Sequence, residues 1–87
     1  MQTLYRFQFV IGFETVLEGS QEMINIRRLG QEIAKEKGKN VKVFLYNDPL
    51  GHWDMVGTDL PNGLHLDAYG NLCKLDEDGR NYWKVKE

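Results

Sequence analysis

Residues 20–46, SQEMINIRRLGQEIAKEKGKNVKVFLY, decide the fold, because they predict one helix followed directly by one buried strand. Ser20 is a residue type that caps helix N-termini, and Gly38 is one that ends helices in the left-handed conformation. Between them, side chains able to pack on a core recur at the three- and four-residue spacing of one helix face: Met23, Ile26, Leu29, Ile33, Ala34 and the stem of Lys37. A helix of this length is marginal alone in water, so this face predicts a sheet that covers it.

The segment before the helix predicts strand structure. Residues 4–18 alternate between apolar and mostly polar side chains, which is the period of a strand. Gly12 at the middle allows either one long bent strand or a hairpin, and loop statistics favour the hairpin. A hairpin with an odd-length loop centred on Gly12 pairs Phe9 with Thr15 and Phe7 with Leu17.

The segment after the helix predicts a meander of strands. Val41–Tyr46 forms a strand that stops at the turn residues 47–51, Asn-Asp-Pro-Leu-Gly. An antiparallel strand follows at His52–Thr58, with Trp53 and Met55 facing inward. Turn-rich sequence then separates three short strands: Leu64–Leu66, Leu72–Leu75 and Tyr82–Val85. The predicted fold class is therefore α+β, with one amphipathic helix packed on an antiparallel β-sheet of four to six strands, and residues 1–87 form a single domain.

Composition limits the classes of function. The formal net charge is -2 and the two signs are interspersed, which argues against a protein that binds duplex DNA by electrostatic attraction. The single cysteine, Cys73, excludes an intramolecular disulfide and a multi-cysteine zinc site, and it fits a reducing compartment. We find no export signal and no run of 18 apolar residues, so we expect a cytoplasmic protein without a membrane segment.

Polar residues near the second half of the sheet offer a weak candidate for chemistry. Carboxylates and imidazoles can bind a divalent ion or act as a general base, and they occur here at Asp48, His52 and Asp54, with Asp59 or His65 as further members. No recognised metal-site spacing matches, and turn formation already explains Asp48 before Pro49. Cys73 in an apolar strand is typical of a small buried hydrophobe. We therefore predict no metal, no cofactor and no catalytic residues.

The sheet face turned away from the helix is the more informative feature. If alternate residues such as Phe7 and Val43 face the helix, the opposite face presents aromatic and basic side chains: Arg6, Gln8, Lys42, Phe44 and Tyr46, with Tyr82 and Lys84 from the last strand. Such a face suits a protein partner, and it also suits unpaired bases that stack on rings while cations meet phosphate. The alternative is that residues 59–87 fold over this face and make a second small core.

In outline, a strand or hairpin, one helix and a short meander in so short a chain resembles many phage and mobile-element accessory proteins, including some anti-CRISPR inhibitors. The resemblance is architectural and implies a small non-enzymatic protein that occupies a surface on a larger protein or nucleoprotein as an inhibitor. The predicted binding residues are Arg6, Lys42, Phe44, Tyr46, Tyr82 and Lys84. The second hypothesis is a single-stranded nucleic-acid-binding module that uses Arg6, Lys42, Phe44 and Tyr46, and the third is a small metal-assisted hydrolase.

Overall fold

The computed structural model describes residues 3–85 as one helix packed on a seven-stranded antiparallel sheet. In chain order the elements are β1 (Tyr5–Ile11), β2 (Glu14–Gln21), α1 (Met23–Lys37), β3 (Val41–Asn47), β4 (His52–Asp59), β5 (Leu64–Asp67), β6 (Leu72–Leu75) and β7 (Tyr82–Lys84). Their order across the sheet is β2-β1-β3-β4-β5-β6-β7. The α+β class is confirmed, as is the sequence of hairpin, helix and meander, but the sheet has seven strands rather than four to six.

The first two strands form a hairpin with a shorter loop than predicted. Ile11 pairs with Glu14, so the turn consists of Gly12 and Phe13, and Gly12 adopts a φ of 64° that favours glycine. A bulge in β2 then shifts the register, so that Phe9 pairs with Leu17 and Phe7 with Gly19. The predicted pairings of Phe9 with Thr15 and of Phe7 with Leu17 are therefore wrong.

The helix boundaries agree with the sequence at the C-terminus and differ at the N-terminus. Gly38 has a φ of 63° and donates its N–H to the carbonyl of Ala34, as a left-handed helix cap does. The prediction that Ser20 caps the helix is wrong, because β2 continues as far as Gln21 and Ser20 pairs with Arg6 in the sheet. The N-cap is Glu22, which makes no side-chain capping hydrogen bond.

The core lies between α1 and the central strands β1, β3 and β4. Alternate residues of β1 and β3 face the helix and are buried: Phe7, Phe9, Val41 and Val43. The helix packs on them with a buried stripe of residues at three- and four-residue spacing. This stripe consists of Ile26, Gly30 and Ala34, flanked by the partly buried Met23, Leu29 and Ile33. The predicted helix face is confirmed except at its end, where Lys37 is exposed.

The meander extends the sheet and does not cover its second face. Strands β5, β6 and β7 join side by side beyond β4, so the alternative of a second core formed by residues 59–87 is wrong for the described residues. Directly paired residues share a face, and Trp53 and Met55 pair with Tyr46 and Phe44. The inward orientation predicted for Trp53 and Met55 is therefore wrong, since both lie on the face turned away from α1.

The helix α1 has 15 residues and many charged side chains. Within residues 3–85, no helix is long and apolar enough to cross a membrane.

Two phenylalanines on the first hairpin should differ sharply in their contribution to stability. Phe9 is fully buried in the core, and Phe13 is fully exposed at the turn. We expect Phe9→Ala to lower the free energy of unfolding by about 3–5 kcal/mol, because it removes a packed ring and leaves a cavity. Phe13→Ala is the control and should change it by less than about 0.5 kcal/mol. Urea denaturation followed by circular dichroism measures both, and similar losses would contradict this assignment of the core.

Candidate functional site

The outer face is the sheet surface turned away from α1, and it is uncovered by any other part of residues 3–85. Strand register assigns its central and distal members, because paired residues share a face and alternate residues along a strand return to it. They are Arg6, Gln8, Val10, Lys42, Phe44, Tyr46, Trp53, Met55, Thr58, Leu64, Leu66, Leu72, Lys74 and Trp83. The outer face is therefore largely apolar and aromatic, with cations at intervals.

A cation–π cluster organises one end of the outer face. The guanidinium carbon of Arg6 lies 4.5 Å from the centre of the Tyr46 ring and 5.6 Å from that of Trp53. The two rings meet edge to face, with centroids 5.2 Å apart. Tyr46 and Trp53 are directly paired across β3 and β4, and Arg6 reaches them from β1, so three strands fix this cluster.

Charge on the outer face has the opposite sign to the charge of the whole chain. Its cations are Arg6, Lys42 and Lys74, whereas Glu18 is the one acidic side chain at outer-face strand positions within the described residues. Glu18 accepts a hydrogen bond of 3.1 Å from the Gln8 amide. The chain as a whole carries a formal charge of -2, so its acidic residues are concentrated on the helix side and in the turns.

Four predicted binding residues, Arg6, Lys42, Phe44 and Tyr46, share the outer face. The placement predicted for Tyr82 and Lys84 is wrong. Tyr82 stacks on His65 on the helix side of the sheet, and Lys84 lies two residues further along β7, so it shares that side. The Tyr82 ring reaches His65 across β6, whose residues on the helix side are Cys73 and Leu75.

On the helix side, a buried polar pair joins β4 to β5. His65 Nδ1 lies 2.8 Å from Asp59 Oδ1, and the two side chains are only 5% and 1% exposed. The Tyr82 ring stacks on the imidazole with centroids 4.1 Å apart and planes 12° from parallel. The Arg27 guanidinium of α1 lies 5.4 Å from the centre of the Tyr82 ring and closes this side. Side chains from β4, β5, β7 and α1 therefore meet at this pair.

Two glycines make room for the Asp59–His65 pair. A Cβ atom added at Gly30, in the middle of α1, would overlap Asp59 Oδ2, and one added at Gly57, within β4, would overlap the His65 ring. Glycine weakens the interior of a helix or a strand, typically by about 0.5–1 kcal/mol relative to alanine. Both α1 and β4 therefore carry a destabilising glycine at the position where the Asp59–His65 pair needs space.

The second oxygen of Asp59 is electrostatically unusual. Oδ2 is buried and has no hydrogen-bond partner in residues 3–85. Burial raises the pKa of the Asp59 carboxyl above its ordinary value, and the hydrogen bond and charge of His65 offset part of that rise. Buried polar atoms without partners are rare in folded proteins, so this carboxylate is a candidate functional group.

A cavity of about 220 Å³ opens beside the pair, between the N-terminal half of α1 and the sheet. Most of its wall is apolar, and its polar members are grouped on one side. The lining residues are Met23, Ile26, Arg27, Val43, Leu45, Val56, Asp59, His65, Asp67 and Tyr82. The cavity exists because α1 lies over β1, β3 and β4 and leaves the surface of β5 to β7 only partly covered.

The polar residues that the metal hypothesis grouped together lie at two separate places in the structure. His52 Nε2 and Asp54 Oδ1 lie 2.8 Å apart in an exposed pair at the far end of β4, whereas Asp59 and His65 form the buried pair. Within residues 3–85, no group of three or more His, Cys, Asp or Glu side chains is arranged to hold a metal ion. The hydrolase hypothesis therefore gains no support from a shared site.

Cys73 is buried, as its sequence context predicts. Burial raises the pKa of its thiol, which keeps the sulfur in its less reactive protonated form. Its Sγ lies 3.5 Å from the carbonyl oxygen of Asn71.

Sequence reasoning missed the pairing of Asp59 with His65, although two signals pointed to it. A glycine inside an amphipathic helix and another inside a strand both indicate close approach by a neighbouring group. The structure places the Asp59 carboxylate opposite Gly30 and the His65 ring opposite Gly57. The partner could not be named because residues in different elements meet only through the tertiary fold.

Comparisons of the chain with protein-family models, with curated proteins and with solved structures gave no significant match.

Gly30→Ala should destabilise the protein although alanine favours helices. Alanine contributes about 1 kcal/mol of helix propensity, but its methyl group would overlap Asp59 Oδ2, and such overpacking costs about 1–3 kcal/mol. We expect a net loss of up to about 2 kcal/mol in the free energy of unfolding, measured by urea denaturation. Glu32→Ala, at an exposed position of α1, is the control and should change stability by less than about 0.5 kcal/mol.

Removing the Asp59 carboxylate should reverse the sign of the effect of Gly30→Ala on stability. In an Asp59→Ala background the space opposite Gly30 is free, so Gly30→Ala should stabilise the protein by up to about 1 kcal/mol. Equal losses in both backgrounds would contradict the close contact between Gly30 and Asp59.

The raised pKa of Asp59 makes a prediction for the pH dependence of stability. The folded state holds the carboxyl proton more tightly than the unfolded state, so Asp59 costs stability as pH rises above its ordinary pKa of 3.8 through the raised folded value. Asp59→Asn should therefore gain stability relative to the wild type as the pH rises from 3.5 to 7, measured by urea denaturation.

The difference between the two proteins reports on the Asp59–His65 pair, because Arg27 and Tyr82 are unchanged and only the charged partner of His65 is removed. Asp48→Asn, at an exposed turn position, is the matched control and should show no such gain with pH. A constant difference between wild type and Asp59→Asn across this range would rule out a raised pKa for Asp59.

Proposed function

We propose that this chain is a small non-enzymatic binding protein that occupies a surface on a larger protein or nucleoprotein through its outer face. The observation that carries the proposal is an open sheet face on which aromatic, aliphatic and basic side chains are contiguous. Interface centres are rich in tyrosine, tryptophan and arginine, and the Arg6–Tyr46–Trp53 cluster combines all three.

Exposure of apolar side chains supports a partner on this face. Met55 is 44% exposed and Trp83 is 64% exposed, and Leu72 lies between their strands with a similar exposure to Met55. Contiguous apolar surface on a soluble domain is typical of interaction sites, whereas scattered single residues are not. Phe44 pairs with Met55 across β3 and β4, and Leu66 pairs with Leu72 across β5 and β6, with Thr58 of β4 beside Leu66.

Charge complementarity indicates the kind of surface that would be bound. The outer face carries Arg6, Lys42 and Lys74 around its apolar centre, and the rest of the chain is acidic in balance. A partner with an apolar patch bordered by carboxylates would be steered toward this face and away from the helix side. The partner surface is therefore expected to be acidic at its rim.

Inhibition is the mode of action that the architectural resemblance to phage and mobile-element accessory proteins, including some anti-CRISPR inhibitors, favours. A small domain without a deep catalytic cleft can act by covering the working surface of another protein. The unpaired Cys73 is compatible with action in a reducing compartment such as the cytoplasm.

Single-stranded nucleic acid is the second candidate, favoured by the rings and cations of the outer face. Arg6 argues against it, because its guanidinium already lies over the Tyr46 and Trp53 rings on which bases would stack. The overall acidic charge also opposes phosphate binding.

Charge reversal on the outer face should abolish partner capture without unfolding the protein. Lys42 and Lys74 are exposed, so the double variant Lys42→Glu/Lys74→Glu should keep the wild-type circular dichroism and thermal midpoint. We expect it to lose at least about tenfold in affinity for the protein that the wild type captures from its native host, because two attractive contacts become repulsive. Quantitative affinity capture followed by titration with the purified partner measures the loss.

The matched control is Lys35→Glu/Lys39→Glu, which reverses two exposed lysines on the helix side. It should retain full affinity. Equal losses in both double variants would indicate non-specific attraction and overturn the assignment to the outer face. Labelled single strands provide a further comparison: tight binding at low salt that weakens steeply with salt would favour the nucleic-acid module instead.

A further inference from the structure

The strand β2 forms one edge of the sheet, and its free side has no partner strand within residues 3–85. It pairs with β1 alone, so the N–H and C=O groups that point away from β1 have no strand to bond to. It is the longer of the two edges, since β2 has 8 residues and β7, at the other edge, has 3. Binding on the outer face uses the central strands and leaves this edge unexplained.

The C-terminal part of β2 lacks the features that protect sheet edges. Natural edge strands are guarded from further pairing by lysine, proline or a bulge. Residues 17–21, Leu-Glu-Gly-Ser-Gln, contain neither lysine nor proline, and all five are exposed. The bulge of β2 precedes them, so their pairing with β1 is regular. This segment is therefore open to an added strand.

We propose that residues 17–21 pair with the same residues of a second copy of the chain, in an antiparallel dimer whose two-fold axis passes through Gly19. An axis normal to the sheet joins the two sheets into one, keeps both helices on the same side and closes the assembly. Edge pairing leaves the outer face of each copy uncovered. The dimer can therefore succeed or fail independently of the partner binding proposed above.

The positions of the glutamates favour this register. Paired residues must lie on the same side of the sheet, so the two-fold axis passes through one residue of β2. An axis at Glu18 would place the two copies of Glu18 opposite each other, and an axis at Ser20 would place Glu18 opposite Glu22. With the axis at Gly19, Glu18 of each copy lies opposite Ser20 of the other. No like charges then meet, and Gly19 brings no side chain to the axis.

Partly exposed apolar residues support the same register. Leu17 is 38% exposed and Tyr5 is 41% exposed on the helix side of the sheet, where α1 packs on β1, β3 and β4. With the axis at Gly19, Leu17 lies opposite Gln21 of the second copy, and Gln21 pairs with Tyr5 within its own chain. Leu17 and Tyr5 then lie in one row on either side of Gln21, which shields both from water in part. An axis at Leu17 would instead place the bulge inside the paired segment.

Sedimentation velocity of the wild-type chain over a range of concentrations measures the association. An interface formed by one short strand from each copy is small, so we expect a reversible equilibrium of monomer and dimer with a Kd of about 10–300 µM.

Two substitutions at Ser20 test the register by the sign of the charge. Ser20→Glu places an acidic residue opposite Glu18 at two symmetric positions and should weaken dimerisation by about 5- to 30-fold. It should remain folded, because the residue paired with position 20 within the chain is Arg6. Ser20→Lys should instead strengthen dimerisation. Thr15→Glu is the control, because it adds the same charge to β2 outside the paired segment, and it should change the Kd by less than about threefold.

A charge swap provides a rescue. The double variant Glu18→Lys/Ser20→Glu restores opposite charges at both symmetric positions, so it should dimerise at least as tightly as the wild type, although Ser20→Glu alone does not. Circular dichroism and the thermal midpoint verify that each variant is folded.

Three outcomes would overturn the proposal. A chain that stays monomeric up to about 500 µM would show that the edge does not pair. A dimer that Ser20→Glu and Ser20→Lys affect equally would form through another surface or register. Species that grow beyond the dimer with concentration would show head-to-tail assembly instead of a closed pair.

Discussion

A single helix packs on a seven-stranded sheet and is too narrow to cover it. Both candidate sites result from this difference in width. Strands lie about 4.8 Å apart, so seven of them span roughly 29 Å, whereas a helix with its side chains is about 10–12 Å across. Accordingly α1 packs on β1, β3 and β4, and the opposite face of the sheet has no layer over it within residues 3–85. The open outer face and the cavity beside Asp59 both follow from this geometry.

Polar contacts replace apolar packing where the helix no longer covers the sheet. The Tyr82 ring reaches across β6 to stack on His65, and Arg27 and Arg28 of α1 donate to the backbone carbonyls of Arg80 and Asp78 in the β6–β7 turn. Gly79 of the same turn lies close to α1, where a side chain would meet Ile24 and Arg28. The distal hairpin is therefore attached to the helix by its backbone and by stacking, and only the proximal half of the domain has an apolar core.

Local sequence patterns predicted the secondary-structure elements correctly. The errors concern strand pairing, which depends on the tertiary fold. Period-two alternation located the strands, and the apolar spacing from Met23 to Ala34 located the helix face, because these depend on neighbours along the chain. Ser20 was misassigned because pairing with Arg6 extends β2, which outweighs a capping preference of about 1 kcal/mol. Trp53 was misassigned because its face is set by its pairing with Tyr46.

The candidate site was only partly predictable for the same reason. Arg6, Lys42, Phe44 and Tyr46 were placed on one face from alternation alone, since β1 and β3 both contribute apolar residues to the core. Tyr82 lies in a short strand whose own sequence does not identify a buried face. The approach of Asp59 to His65 depends on the β4–β5 turn, and no local preference encodes their contact.

Arg6 shows how the free protein can keep an uncovered apolar face in water and still use it for binding. Its guanidinium lies over Tyr46 and Trp53, so a charged and well-hydrated group covers part of the aromatic surface in the absence of a partner. A partner carboxylate that pairs with Arg6 would not need to displace it from the rings, because the cation–π and ionic contacts use different directions of the guanidinium. An incoming nucleic-acid base would have to compete with Arg6 for the ring faces. The same side chain therefore makes the outer face better suited to an acidic protein surface than to stacked bases.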